Sequence, residues 1–261
     1  MNDKQIEQYG DELYNALRSC STVAPLTDRE PSITLDDAYR ISVRMLERRL
    51  ADGEQVIGKK IGVTSKAVQN MLNVHQPDFG YLTDRMVYAN GDEIKIAGQM
   101  IAPRAEGEIA FILKRDLMGP GVTNAQVIAA TECVMPCFEI VDSRIHDWKI
   151  KIQDTVADNA SCGVFVLGDA ARLPSEIDLT TCGMVMEKNG EIIATGAGAA
   201  ALGSPVNCVA WLANTLGRLG VPLKAGEVIL SGSLVPLAPV VAGDHVEVAI
   251  GGLGHCAVRF G

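Results

Sequence analysis

Two glutamates, Glu106 and Glu108, stand two residues apart at the head of the apolar, β-favouring run PRAEGEIAFILKRD (residues 103–116). In an extended chain alternate side chains share a face, so both carboxylates project together if the strand begins by residue 106; on a helix they would diverge by about 200°. A second β-like run, ECVMPCFEIVDSR (132–144), carries Glu139 at its end, with Asp142 and Arg144 following. Should Glu139 converge on the first two, each pair at about 5 Å would repel by roughly 3 kcal/mol at an effective dielectric near 20. Raised pKa values or a divalent cation relieve such crowding. Three oxygen donors with no His or Cys nearby favour Mg²⁺ or Mn²⁺ over Zn²⁺. A solvated strand edge carries the same E-x-E spacing, and the sequence alone does not bring Glu139 to the other two.

Further candidates lie in short polar islands. GKKIG (58–62) sets Lys59 and Lys60 between glycines. On a strand they point to opposite faces, so one of them at most faces a site, the alternative being two surface lysines on an edge strand. VHQPDFGYL (74–82) reads as a turn-like loop that aims Asp78, or its rival His75, as a general base. DTVADNASCG (154–163) is dense in turn formers, with Asp154, Asp158, Asn159 and Ser161 able to meet an anionic substrate or simply to bond their own backbone. The glycines of GAGAAALG (196–203) lack dinucleotide-fingerprint spacing and no βαβ unit follows, which argues against NAD or FAD.

The elements that must position these groups divide the chain in two. Ile6, Tyr9, Leu13 and Leu17 follow a helical rhythm, and TLDDAYRISVRMLERRLADG predicts a second helix capped by Thr34 with Asp37 three residues on and stopped at Gly53. From residue 56 short apolar runs alternate with glycine, and Asn189-Gly190 in MVMEKNGEIIATG marks a β-hairpin. SPVNCVAWLANTLGRLG predicts one further helix, with Ser204 as cap, Pro205 in the first turn and a stripe of Val206, Val209, Leu212, Ala213 and Leu216. The expectation is an α+β protein: a helical N-terminal cap over residues 1–55 and a predominantly antiparallel or mixed β body over 56–261.

Composition excludes several classes. With 261 residues, 48% of them apolar, the chain can bury a substantial core. A net charge of −9 disfavours nucleic acid, and the Arg-rich RMLERRL (44–50) is expected to be a solvated helix face. The acidic start shows neither a secretory signal nor a membrane span, so a soluble, cytoplasmic protein is expected. Seven cysteines without C-x-x-C spacing read as small buried hydrophobes in a reducing compartment.

Five ordered blocks, GKKIGVTSKAVQNMLNVHQPDFGYLTD, PRAEGEIAFIL, CFEIVDSRIHDWKIKIQDTVADNAS, GAGAAALGSPVNCVAWLAN and GEVILSGS, resemble the fumarylacetoacetate hydrolase superfamily. The similarity is to its 2-hydroxypenta-2,4-dienoate (2-oxopent-4-enoate) hydratase branch, found in meta-cleavage degradation of aromatic compounds. The resemblance implies a mixed β-roll core and a homo-oligomer. It also implies a Mg²⁺ or Mn²⁺ ion held by Glu106, Glu108 and Glu139, with Lys60 as the active-site lysine, Asp78 as base and Ser161 and Ser233 as substrate contacts. Burial of Lys60 beside a cation would depress its pKa. Gly232-Ser233-Leu234 departs from the GTP ending of many relatives, which loosens the assignment of Ser233. The expected substrate is a 2-hydroxy-dienoate or 2-oxo acid. The rival reading is 4-oxalocrotonate decarboxylase of the same superfamily, or a partner subunit that associates with it; the paired Lys59-Lys60 favours the hydratase.

Overall fold

The computed structural model describes residues 1–261. Three helices open the chain: α1 (Asp3–Ser19), α2 (Leu26–Arg29) and α3 (Leu35–Ala51). α3 starts on the predicted box, with the Asp37 N–H donating to Thr34 Oγ1 (3.1 Å) and the Thr34 N–H to Asp37 Oδ2 (3.2 Å), and Gly53 beyond its end takes φ +88°. β1 (Val56–Gly62), α4 (Lys66–Met71), β2 (Asp78–Thr83), β3 (Val87–Ala89), β4 (Glu93–Ile94) and β5 (Arg104–Leu113) follow. Next come α5 (Asn124–Ala130), β6 (Thr131–Val141), α6 (Ile152–Ala157) and β7 (Cys162–Leu167). β8 (Gly183–Lys188), β9 (Glu191–Ala197), α7 (Pro205–Gly217), β10 (Val228–Leu230), β11 (Ala238–Pro239), β12 (His245–Ile250) and β13 (Gly254–Phe260) complete the chain.

The strands form two sheets. One runs β2-β1-β10-β5-β6-β7-β3, with β11 also paired to β5; the other runs β4-β13-β12-β8-β9. Pairing is mixed as expected: β1/β10, β3/β7 and β4/β13 are parallel and the rest antiparallel. Asn189 (φ 55°) and Gly190 (φ 83°) make the two-residue hairpin turn between β8 and β9, since both positions need the left-handed region. The predicted stripe of α7 is buried, but the Ser204 side chain makes no capping bond, leaving Pro205 to start the helix.

Alternation along β5 sorts its side chains between two environments. Ile109 and Phe111 point into the main core with Phe138, Ile229, Met184 and Val248. Gly107 lies on that same face, because a Cβ there would come within 2.6 Å of the Met184 sulfur and 2.8 Å of Val248. Glu106, Glu108 and Ala110 therefore face the other way, where Ala110 joins Leu82, Cys137, Cys162, Phe165 and Leu230.

The N-terminal helices bury Ile6, Leu13, Leu26, Ile41 and Met45 together with Ile145, Val156 and Ala157 from the middle of the chain. RMLERRL is less solvated than its charge predicts. Arg44 and Arg48 both pair with Asp11 of α1, and Arg49 is buried, its guanidinium bonded to Glu54 Oε2 (2.9 Å) and Thr83 Oγ1 (2.8 Å). α3 is thereby tied to the end of β2. All seven cysteines are free; Cys137, Cys162, Cys182, Cys208 and Cys256 are buried, and Cys20 and Cys133 partly so. No helix is long and apolar enough to cross a membrane.

Candidate active site

The register of β5 against β6 sets Glu106 directly opposite Glu139 and Glu108 opposite Cys137. Cross-strand partners share a face, as do residues two apart, so all three carboxylates gather on one side of the sheet. Each offers an oxygen within 4.8 Å of the others. Glu108 and Glu139 have no exposed surface, while Glu106 is half-buried and marks the open side. One Glu108 oxygen accepts the Gly232 N–H at 2.8 Å. The other Glu108 oxygen and both Glu139 oxygens have no hydrogen-bond partner. Burial, then repulsion from Glu139, pushes Glu106 up to about 8 and Glu108 well above the carboxylate range. Dry, unpaired carboxylate oxygens are costly, and a cation among them removes the cost. The donor set, oxygen only and all carboxylate, fits a hard divalent ion.

Two and three strands from β5, β1 and β2 bring up the remaining charges. Lys60 pairs with Gly80 and Asp78 with Gly62, so each charged residue stands opposite a glycine, on one face. A Cβ on Gly62 would lie 2.3 Å from Asp78 Oδ1 and 3.1 Å from Lys60 Nζ, and one on Gly80 would collide with the Asn159 carbonyl at 2.6 Å. Lys60 Nζ sits 3.0 Å from Glu139 Oε1 as a charge pair. Asp78 is 2% exposed and its Oδ1 has no partner.

The loop placement of Asp78 and the surface-edge alternative for the lysines both fall away here. Asp78 does not lie in a loop: it opens β2, because pairing with β1 overrides the turn character of Pro77 and Gly80. Neither lysine is on a surface edge, since β1 is an inner strand and both are 2% exposed. They do point oppositely, Lys59 Nζ reaching both Glu227 oxygens at 2.6 Å. Burial pulls Lys60 down, but Glu139 and Asp78, with no cation between them and the ammonium, outweigh that and hold it above the usual lysine range. Burial raises Asp78, with Lys60 opposing. His75 is exposed and lines a cavity of about 310 Å³ together with Asp78.

Residues 54–260 match the family profile described as fumarylacetoacetate (FAA) hydrolase, C-terminal. The chain belongs to this family. Within it, the chain is 72% identical over 221 residues to a 2-hydroxypent-2,4-dienoate hydratase of Pseudomonas putida, covering 85% of this chain and all of that one. It is 63% identical to a 2-hydroxyhexa-2,4-dienoate hydratase of Comamonas testosteroni, over 100% of this chain and 99% of the relative. Among solved structures, 4-oxalocrotonate decarboxylase from Pseudomonas putida G7, complexed with magnesium and adipate, superposes with a TM-score of 0.96 at 36% identity, covering 100% and 98% of the two chains. The observed mixed sheets and helices are thus the α+β architecture of the fumarylacetoacetate hydrolase family.

The other expected substrate contacts are less direct in this family member. Ser161 is buried, with its hydroxyl 3.0 Å from that of Thr155. Ser233 donates to the Val235 carbonyl at 2.6 Å, while its neighbour Gly232 holds Glu108. DTVADNASCG is not a plain loop but α6 and a 3₁₀ turn, and its polar groups are largely committed. Asp154 accepts from the Thr27 N–H (3.0 Å) and hydroxyl (2.7 Å), and Asn159 brackets the Tyr81 backbone (2.8 and 3.0 Å). Asp158 takes the Arg144 N–H (2.9 Å) and Nε (2.5 Å). Asp142 accepts from Ile101 and Ala102 N–H groups.

Sequence reasoning missed Tyr39, which stacks on Phe79 (centroids 4.4 Å, 14° between planes) and lines the cavity next to Asp78. Burial, then the Asp78 charge, raises its hydroxyl. The i, i+4 pairing of Leu35 and Tyr39 on α3 was the one available signal.

Proposed function

We propose that the protein is a divalent-metal-dependent hydratase that converts 2-hydroxypenta-2,4-dienoate (2-oxopent-4-enoate) to 4-hydroxy-2-oxopentanoate in meta-cleavage degradation of aromatic compounds. The observation that carries the reading is the trio Glu106, Glu108 and Glu139, with unpartnered buried oxygens on the face shared with Lys60 and Asp78. The hydratase names of the relatives at 72% and 63% identity support it.

Glu106, Glu108 and Glu139 hold Mg²⁺ or Mn²⁺, an ion that supplies Lewis-acid stabilisation of negative charge on an α-keto acid. Lys60, kept as an ammonium by Glu139 and Asp78, delivers a proton to C5 and its amine takes up the proton that the 2-hydroxyl gives up, leaving a 2-oxo-3-enoate that is electrophilic at C4. Asp78, made more basic by burial, takes a proton from the water that adds at C4, and that proton is returned to C3 of the resulting enolate. His75 is the rival base, and Ser161 and Ser233 are substrate-side contacts. Residues 1–55 act as a helical cap on the catalytic body 56–261. The enzyme works as a cytoplasmic homo-oligomer and associates with 4-oxalocrotonate decarboxylase.

The deciding assay takes metal-stripped protein, adds back Mg²⁺ or Mn²⁺, and follows loss of dienol absorbance beside CO₂ release from 2-oxohex-3-enedioate. Metal-dependent dienol loss with formation of 4-hydroxy-2-oxopentanoate is expected. Full turnover in chelator removes the metal role. CO₂ release without hydration returns the decarboxylase reading, which the TM-score of 0.96 to such an enzyme keeps worth testing.

A further inference from the structure

The carboxylate trio and Lys60 account for one end of a small 2-oxo acid, but Asp78 also opens onto space that this chemistry does not use. The 310 Å³ cavity beside it is walled by Leu35 and Tyr39 of α3, Ile152 at the start of α6, and Val74 and His75 from the segment before β2. Leu35, Tyr39 and Ile152 pack at the margin of the N-terminal helical core, and the Tyr39 ring is fixed by its stack on Phe79. No residue lining the cavity is Lys or Arg. Its one fixed charge is the Asp78 carboxylate, 2% exposed, with Oδ1 unpartnered.

We propose that this cavity is the subsite for the distal, apolar end of the substrate, so that Leu35, Tyr39 and Ile152 set chain length and exclude dicarboxylates. The inference rests on the hydratase reading and adds a specificity rule to it. In this reading a 2-oxo acid has its carboxyl end drawn to the cation that the trio would hold and to Lys60, and Asp78, which lines the cavity, directs its other end there. An alkyl tail there meets aliphatic and aromatic walls and gains by burial. A second carboxylate meets Asp78 across a wall that offers it no Lys or Arg, Lys60 being already engaged by Glu139, and loses its hydration as well. The related decarboxylase complexed with adipate, a dicarboxylate, supplies the contrast in ligand class.

Isothermal titration of the Mg²⁺-loaded protein with non-reacting saturated ligands tests this without turnover. Across 2-oxopentanoate, 2-oxohexanoate and 2-oxoheptanoate the Kd is expected to fall about two- to fourfold per methylene. 2-Oxohexanedioate should bind at least about tenfold more weakly than 2-oxohexanoate. Ile152→Phe, which fills a half-buried position, should flatten the length series, and Ile152→Arg should narrow the gap between dicarboxylate and monocarboxylate. Equal Kd values along the series, or 2-oxohexanedioate binding as tightly as 2-oxohexanoate in the unmodified protein, would overturn the proposal while leaving the hydratase reading standing. Absence of binding by every 2-oxo acid would overturn both.

Discussion

Gly62→Ala puts the smallest possible perturbation between the two residues assigned to proton transfer. The added Cβ would stand 2.3 Å from Asp78 Oδ1 and 3.1 Å from Lys60 Nζ, where ordinary contact begins at 3.4 Å. Gly62 is not among the positive-φ glycines, so alanine meets no backbone penalty and the effect comes from space alone. Asp78 is pinned by the pairing of β2 with β1, so its carboxylate must swing away by about 1 Å. A displacement of that size costs on the order of 100-fold in rate when it misplaces a reacting group. Overpacking a buried site costs about 1–3 kcal/mol of stability.

The trio stands on other strands, so its affinity for a divalent cation should not change. The expected pattern is therefore a kcat lower by about two orders of magnitude, a modest loss in urea denaturation, and an unchanged Mg²⁺ affinity by calorimetry. Gly183→Ala is the control: Gly183 also sits on a strand, outside the positive-φ set, and a Cβ there meets nothing within 4 Å. A Gly62→Ala enzyme turning over dienol within about threefold of the unmodified protein would refute the placement of Asp78 and Lys60 at the reacting atoms.

Metal-free protein should show a distinctive pH dependence. Glu106 is raised from 4.5 to about 8 by burial and then by Glu139, so the folded state binds its proton more tightly than the unfolded chain. That contribution is present below pH 4.5 and is lost as pH rises towards 8. The gap in melting temperature between Mg²⁺-loaded and chelated protein should widen over this range, and parallel curves would contradict it. Arg144→Leu probes the buried ion pair that follows β6. Arg144, 1% exposed, pairs with Asp158 through Nε at 2.5 Å and donates to the carbonyls of Asp142, Asp158 (2.7 Å) and Cys162 (3.1 Å). Leaving Asp158 buried without its partner should cost about 3–5 kcal/mol in urea denaturation, and a loss under about 1 kcal/mol would show the clamp to be dispensable.

What one strand decides was legible in the sequence, and what two strands decide was not. The common face of Glu106 and Glu108 and the opposed faces of Lys59 and Lys60 follow from period two, and the Asn189-Gly190 turn from its φ requirement. That Glu139 falls opposite Glu106 depends on the β5–β6 register, which no local pattern encodes; only the family resemblance named it. Asp78 was read as a loop residue because Pro77 and Gly80 carry turn chemistry, yet Gly80 is there so that β2 can approach Asn159. Tyr39 gave no clear signal, since it takes long-range packing of α3 over β2 to bring a helical tyrosine to Asp78.

The charge arrangement itself says why the register matters. A core built for stability would pair or dilute carboxylates that stand directly across a ladder, because like charges there are destabilising. This sheet sets Glu106 against Glu139, adds Glu108 two residues on, and offers the trio one backbone N–H from Gly232 and one ammonium from Lys60. Neighbouring ion pairs show that the fold can satisfy buried acids where stability is the purpose: Glu227 takes Lys59 through both oxygens and Asp158 takes Arg144. Glu108 Oε1, Glu139 Oε2 and Asp78 Oδ1, left with neither a hydrogen bond nor an ion pair, are on the face of the proposed ion and substrate. Their lack of partners is the physical reason for proposing a ligand there, and it is visible without reference to any relative.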